Sequence, residues 1–123
     1  MLENKHNLTV DTQSKSIGNA FVEVVQNDNV ALEVQIYNNN LLVDNTAYTY
    51  TLLSVLPSKE RIIRQGEIGP NGYPVFYLGV EEMSEVGIVQ AAVQVFDETQ
   101  KRVTSYEFKY RVKEDLSTNG VPV

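Results

Sequence analysis

Hydrophobic and polar residues alternate with a period of two along much of this chain, the signature of strands lying between a core and water. From Val30 to Tyr37, Val30, Leu32, Val34 and Ile36 share one side of an extended backbone, and Ala31, Glu33, Gln35 and Tyr37 share the other. From Tyr106 to Lys113, Tyr106, Phe108, Tyr110 and Val112 alternate with Glu107, Lys109, Arg111 and Lys113. Val89, Ala91, Val93 and Val95 alternate in the same way with Gln90, Ala92, Gln94 and Phe96. These three segments are expected to be half-buried strands. Leu32, Val34, Ile36, Val93, Val95, Phe108 and Tyr110 should face a core, with Glu33, Gln94, Glu107, Lys109 and Arg111 in water. Tyr48 to Val55 is a fourth strand, rich in β-branched and aromatic residues and closed by Pro57. Phe21 to Val25, Ile62 to Gln65 and Val75 to Leu78 are shorter candidates, and Leu8 to Val10 reads as an edge strand.

Turn residues separate these runs. Gln26-Asn27-Asp28-Asn29 is a hairpin-sized gap whose residues tolerate left-handed backbone angles. Asn38-Asn39-Asn40, inside "ALEVQIYNNNLLVD", reads as a turn for the same reason, with strand-like flanks on both sides. Gly69 to Pro74 is a loop with two prolines, and Asp97 to Arg102 a polar hairpin loop. Gly79 to Gly87 breaks the alternation; its helix formers between two glycines predict one or two helical turns. The fold expected is all-β, an antiparallel sandwich of seven to eight strands with one short helix. Three regions are expected: a polar N-terminal arm over 1–16, flexible or ordered by a partner; the sandwich over 17–113; and a flexible tail or linker over 114–123.

Composition narrows the function. A chain of 123 residues is one domain's worth, and 42% hydrophobic content is globular. Sixteen acidic against ten basic side chains leave a net charge of −6, which works against nucleic-acid or anionic-membrane binding. No apolar run is long enough for a membrane span, and Met1 to Val10 lacks the apolar core of a signal peptide. Without cysteine, thiolate catalysis, disulfides and zinc–thiolate sites are excluded.

Catalytic equipment is sparse. The lone histidine, His6, falls in the polar N-terminal stretch and reads as a solvated tail residue. No serine sits in a Gly-x-Ser-x-Gly elbow, and no glycine-rich phosphate loop is present. Glu81, Glu82 and Glu85 cluster, but on the predicted helical turn they read as a solvated face. Asp97-Glu98 lacks the spacing of a calcium loop. Lys59, Arg61 and Arg64, and likewise Lys109, Arg111 and Lys113, read as an edge or outer face kept soluble by charge. The chain is therefore expected to be no enzyme, with no catalytic, cofactor-binding or metal-binding residues and no cofactor.

The order of these segments resembles the N-terminal domain of phage baseplate upper proteins. "NVALEVQIYNNNLLVD" (29–44) resembles that family's strand–turn–strand, and "YTLLSV", "RQGEI" and "GPNGYPVFYL" its middle strands. "EEMSEVGIVQAAVQVFDETQKRV" is similar to its short helix, long strand and hairpin, and "TSYEFKYRV" to its closing strand. The likeness covers about 17 to 112, and it lies in order and spacing, since each piece alone is common among sandwiches. The acidic hairpin at Asp97 to Lys101 and the triple asparagine depart from the family pattern. The resemblance implies a virion structural protein of the tail baseplate, made in the cytoplasm of a Gram-positive host. It implies attachment to the tail core, contact with receptor-binding proteins, and homo-oligomerisation of a full-length protein. The partners implied are proteins, with no nucleic acid and no membrane insertion. The loop from Tyr73 to Tyr77 and the N-terminal arm are the candidate contact regions. The alternative is a stand-alone carbohydrate-binding sandwich, which the absence of tryptophan and the core-facing tyrosines disfavour.

Overall fold

The computed structural model describes residues 4–11, 16–18, 21–38, 41–42 and 47–116. Among these, the strands are β1 (Asn4–Asp11), β2 (Ser16–Gly18), β3 (Phe21–Val25), β4 (Val30–Asn38), β5 (Leu41–Leu42) and β6 (Thr49–Val55), then β7 (Arg61–Gln65), β8 (Glu67–Ile68), β9 (Pro74–Leu78), β10 (Gly87–Phe96) and β11 (Arg102–Lys113). They form two sheets, one ordered β2-β1-β4-β9-β8 with β5 paired to β4, the other ordered β3-β11-β10-β6-β7. The all-β sandwich read from the alternation is therefore the fold. Most pairings are antiparallel, but β1 runs parallel to β4 and β3 parallel to β11. Parallel neighbours need a crossover between them, and here β3, in the opposite sheet, supplies it for β1 and β4.

Inner positions of both sheets make one core, including Leu8, Val34, Leu52, Phe76, Val93 and Tyr110. All seven residues expected inside are buried, and Glu107, Lys109 and Arg111 are exposed, as the alternation requires. Phe108 and Tyr110 stack at a tilt of 38° with ring centroids 6.4 Å apart. Between β7 and β8 the chain turns from one sheet into the other at Gly66, where a Cβ would lie 2.6 Å from the Phe76 ring. Only a residue without a side chain lets the corner close that tightly. At the β10–β11 hairpin, Asp97 Oδ1 accepts from the Thr99 hydroxyl and the amides of Thr99 and Lys101. Those bonds hold the Asp97 carboxyl below the usual range.

Several expectations are corrected. The helix over Gly79 to Gly87 does not form; the segment is a run of turns with Met83 N–H to Val80 O and Ser84 N–H to Glu81 O. Helix propensity is worth tenths of a kcal/mol per residue, and here it yields to burying Glu82 and Met83 against the sheets. The polar arm over 1–16 gives way at Asn4–Asp11 to a full strand whose Leu8 and Val10 are wholly buried. Residues 1–3 and 12–15 of that arm, 117–123 of the tail, and Asn39-Asn40 of the triple asparagine lie outside the described residues. Glu33, expected in water, is only 4% exposed. Lys5 on the neighbouring β1 meets its carboxylate at 2.8 Å and Gln35 donates to the other oxygen. Gln94, also expected in water, is half-buried, and its side-chain oxygen accepts from the Thr51 hydroxyl. The short strand β2 escaped the reading because three residues carry no period.

Phe108→Ala is expected to cost about 3–5 kcal/mol in chemical denaturation, the usual penalty for emptying an aromatic site in a packed core. A loss below about 1 kcal/mol would mean that this site collapses freely and that the alternation misjudges the core.

Candidate interaction surfaces

The run 79–86 links β9 in one sheet to β10 in the other and closes one end of the sandwich. Glu82 is fully buried, against the expectation of a solvated glutamate face. Arg64, at the core-facing side of β7, donates Nε to Glu82 Oε2 at 2.8 Å and Nη2 to Oε1 at 2.6 Å. The same Nη2 reaches Glu81 at 3.3 Å, and the Gly79 amide also donates to Glu82. Arg64, although on edge strand β7, is therefore held in a specific ion pair with a buried carboxylate rather than serving as a free surface charge. Its fork matches a carboxylate in two-point geometry, and the Glu82 hydrogen bond holds the guanidinium above its ordinary value.

Backbone anchors fix the rest of the run. The Tyr110 hydroxyl donates to Glu82 O at 2.8 Å, and Gln26 Nε2 donates to Met83 O and Ser84 O. Ser58 donates its amide and hydroxyl to the Glu85 carboxylate. Burial pushes the Tyr110 phenol up to about 12, and the nearby Glu82 carboxylate adds to the shift. Next to this run, Ile62, Val80, Glu60 and Glu81 line an open cleft of about 510 Å³.

A second surface is the outer face of the five-stranded sheet. Ile63 is 69% exposed there, beside half-buried Leu53 and Val55. Cross-strand register puts Glu107, Ala92, Leu53 and Ile63 in one row and Lys109, Gln90, Val55 and Arg61 in the next. The small side chain of Ala92 leaves a hollow of about 410 Å³ between Leu53 and Glu107. The consecutive apolar pairs Leu52-Leu53 and Ile62-Ile63 were the sequence signal for this face: one member faces the core and the other must face out.

The remaining sequence candidates are scattered. His6 lies in β1 beside Leu32 and is half-buried, so it is not a residue of a frayed tail. No three His, Asp or Glu side chains gather to hold a metal ion among the described residues. In the Tyr73 to Tyr77 stretch, Val75 and Phe76 are buried, and Tyr77 is 46% exposed.

No family model and no curated protein matches the sequence. In structure the chain is similar to the N-terminal domain of phage TP901-1 ORF48, with a TM-score of 0.66 and 17% identity. The match covers 91% of this chain and 99% of that one. At this identity it is a likeness of fold, and the fold agrees with the one implied by the resemblance to baseplate upper proteins.

Arg64→Ala would leave the sealed Glu82 carboxylate without its cation and is expected to cost up to about 3–5 kcal/mol. Arg64→Lys should recover only part, because an ammonium does not present a planar fork. Denaturant melts of the three proteins check this; an Arg64→Ala variant as stable as the parent would remove the pair from the account.

The Tyr110 phenol, neutral when folded, has a value raised above its ordinary one of about 10. Its contribution to stability is complete below pH about 10 and is lost as pH rises through about 12. Stability measured across that window should fall in the parent and fall less in Tyr110→Phe. Identical profiles would contradict the buried phenol.

Proposed function

We propose that this chain is an assembly module of a phage virion, a component of the tail baseplate that attaches to the tail core and supports receptor-binding proteins. The observation that carries the reading is the fold likeness, which spans nearly all of a domain from a phage protein. The sequence resemblance to baseplate upper proteins points the same way, and two open surfaces are available for protein contacts. Fold alone does not assign function, so the reading rests on its agreement with that resemblance. In this reading the chain is not an enzyme, it is made in the host cytoplasm, and its place of work is the tail of the assembled virion.

Co-expression with neighbouring tail gene products, followed by affinity capture, tests the reading. A tail-core protein should co-purify at a fixed ratio. Capture of no virion protein, together with a clear hit on a glycan array, would move the assignment to a carbohydrate-binding module.

A further inference from the structure

We propose that the open edge of β7 binds an extended segment of another protein, taken up as a further antiparallel strand, with a lysine or arginine of that segment set against Glu60 at the end cleft. Backbone pairing shows which groups the edge offers. The β6–β7 register is unbroken, and the bonds Gly66 N–H to Tyr50 O and Leu56 N–H to Glu60 O mark hydrogen-bonded pairs at its two ends. Such pairs recur at every second residue of an antiparallel ladder. Ile62 and Arg64 therefore bond to β6, while Arg61, Ile63 and Gln65 turn their amides and carbonyls the other way. β7 is last in its sheet, and among the described residues no strand pairs with that side. It carries no proline and no bulge, two usual protections of an edge. The corner at Gly66 follows Gln65, so the half of the edge on offer is Arg61 to Ile63, next to the cleft.

A row of alternating donors and acceptors selects an extended backbone as its occupant, and the surroundings of alternate side chains select its sequence. On the outer side stands Ile63, 69% exposed, which an apolar side chain directly opposite would cover. On the inner side Ile62 and Glu60 line the cleft, together with Val80 and Glu81. A side chain opposite Ile62 has its Cβ about 5 Å from that residue, and Glu60 is its diagonal neighbour at about 7–8 Å, within reach of a long side chain. A lysine or arginine suits both, its stem along Ile62 and its charge at Glu60. The Glu60 carboxylate makes no ion pair among the described residues.

Charge also decides against a second copy of this chain. Its outlying strands β3 and β8 carry Glu23 and Glu67, and β2 and β5 carry no charge. β7 itself has one cation on the cleft side, Arg64, which Glu82 already holds. The segment therefore comes from a different protein and has an apolar residue and a cation side by side. This inference concerns the chain alone and does not rest on the baseplate assignment.

Fluorescence anisotropy with the labelled peptide acetyl-TVTVKVT-amide tests it. Antiparallel to β7, the peptide sets its central valine opposite Ile63 and its lysine opposite Ile62. The full 123-residue chain, titrated to about 1 mM to reach weak affinities, should bind it. Methylating the central valine nitrogen removes the donor to the Ile63 carbonyl and should weaken binding at least about tenfold. Peptide TVTVEVT should be weaker by a similar factor, and Glu60→Lys should reverse the preference between the two peptides. Ile63→Pro removes an outward N–H without breaking a bond to β6 and should also weaken binding. Unchanged thermal melts would show that both variants are folded. No binding up to about 1 mM, or binding indifferent to both N-methylation and Glu60→Lys, overturns the proposal. Self-association of the chain that Ile63→Pro abolishes would overturn it too, since the edge would then belong to a second copy. Peptide binding of the expected pattern without capture of any tail protein would uphold this edge while the assembly reading fails.

Discussion

A carboxylate sealed from water is costly by several kcal/mol unless a cation and hydrogen-bond donors meet it where it lies. Glu82 meets both conditions, with the Arg64 fork on its two oxygens and the Gly79 amide beside them. Satisfying that one group dictates the path of 79–86. The run must bend back toward β7, so it cannot wind as a helix. Its carbonyls then face inward, where Tyr110 and Gln26 donate to them. The link between the two sheets is fixed at its centre by β7 and at its flanks by β11 and the β3–β4 turn. Loss of Arg64 would therefore loosen a connection between sheets as well as one ion pair.

Closure at the sides depends on geometry of a different kind. At Gly66 the chain leaves one sheet and enters the other within a single residue, close against Phe76. On the opposite side, β2 belongs to the first sheet and the next strand, β3, to the second. Each long side of the sandwich thus has a segment that serves both layers. Sheet edges left open pair readily with other chains, and these corners limit that at the sides. Among the described residues, the end cleft beside 79–86 and the outer face around Ile63 are open to partners.

Those surfaces bear on function because the interior is committed to packing. Tyr106, Phe108 and Tyr110 are core residues, which leaves few aromatic platforms for stacking sugars. The outer face of the five-stranded sheet combines protruding and recessed apolar side chains with charges of both signs, a composition suited to protein contact. The end cleft pairs an apolar floor at Ile62 with Glu60 and Glu81 on its rim.

The strands β4, β6, β10 and β11 and the core they share were legible in the sequence, because a period of two is a local property that needs no knowledge of neighbours. The hairpin at Asp97 was legible too, since its bonds span four residues at most. Other features were decided by residues far apart in the chain. Whether Glu82 and Glu33 lie in water or inside depends on Arg64 and Lys5, brought beside them by β7 and β1. That Asn4–Asp11 is an interior strand, parallel to β4, depends on a neighbour on each side. The hollow at Ala92 exists only where three strands bring Leu53, Ala92 and Glu107 into one row. Alternation determines which side chains point inward, but only the pairing of strands determines what they meet there.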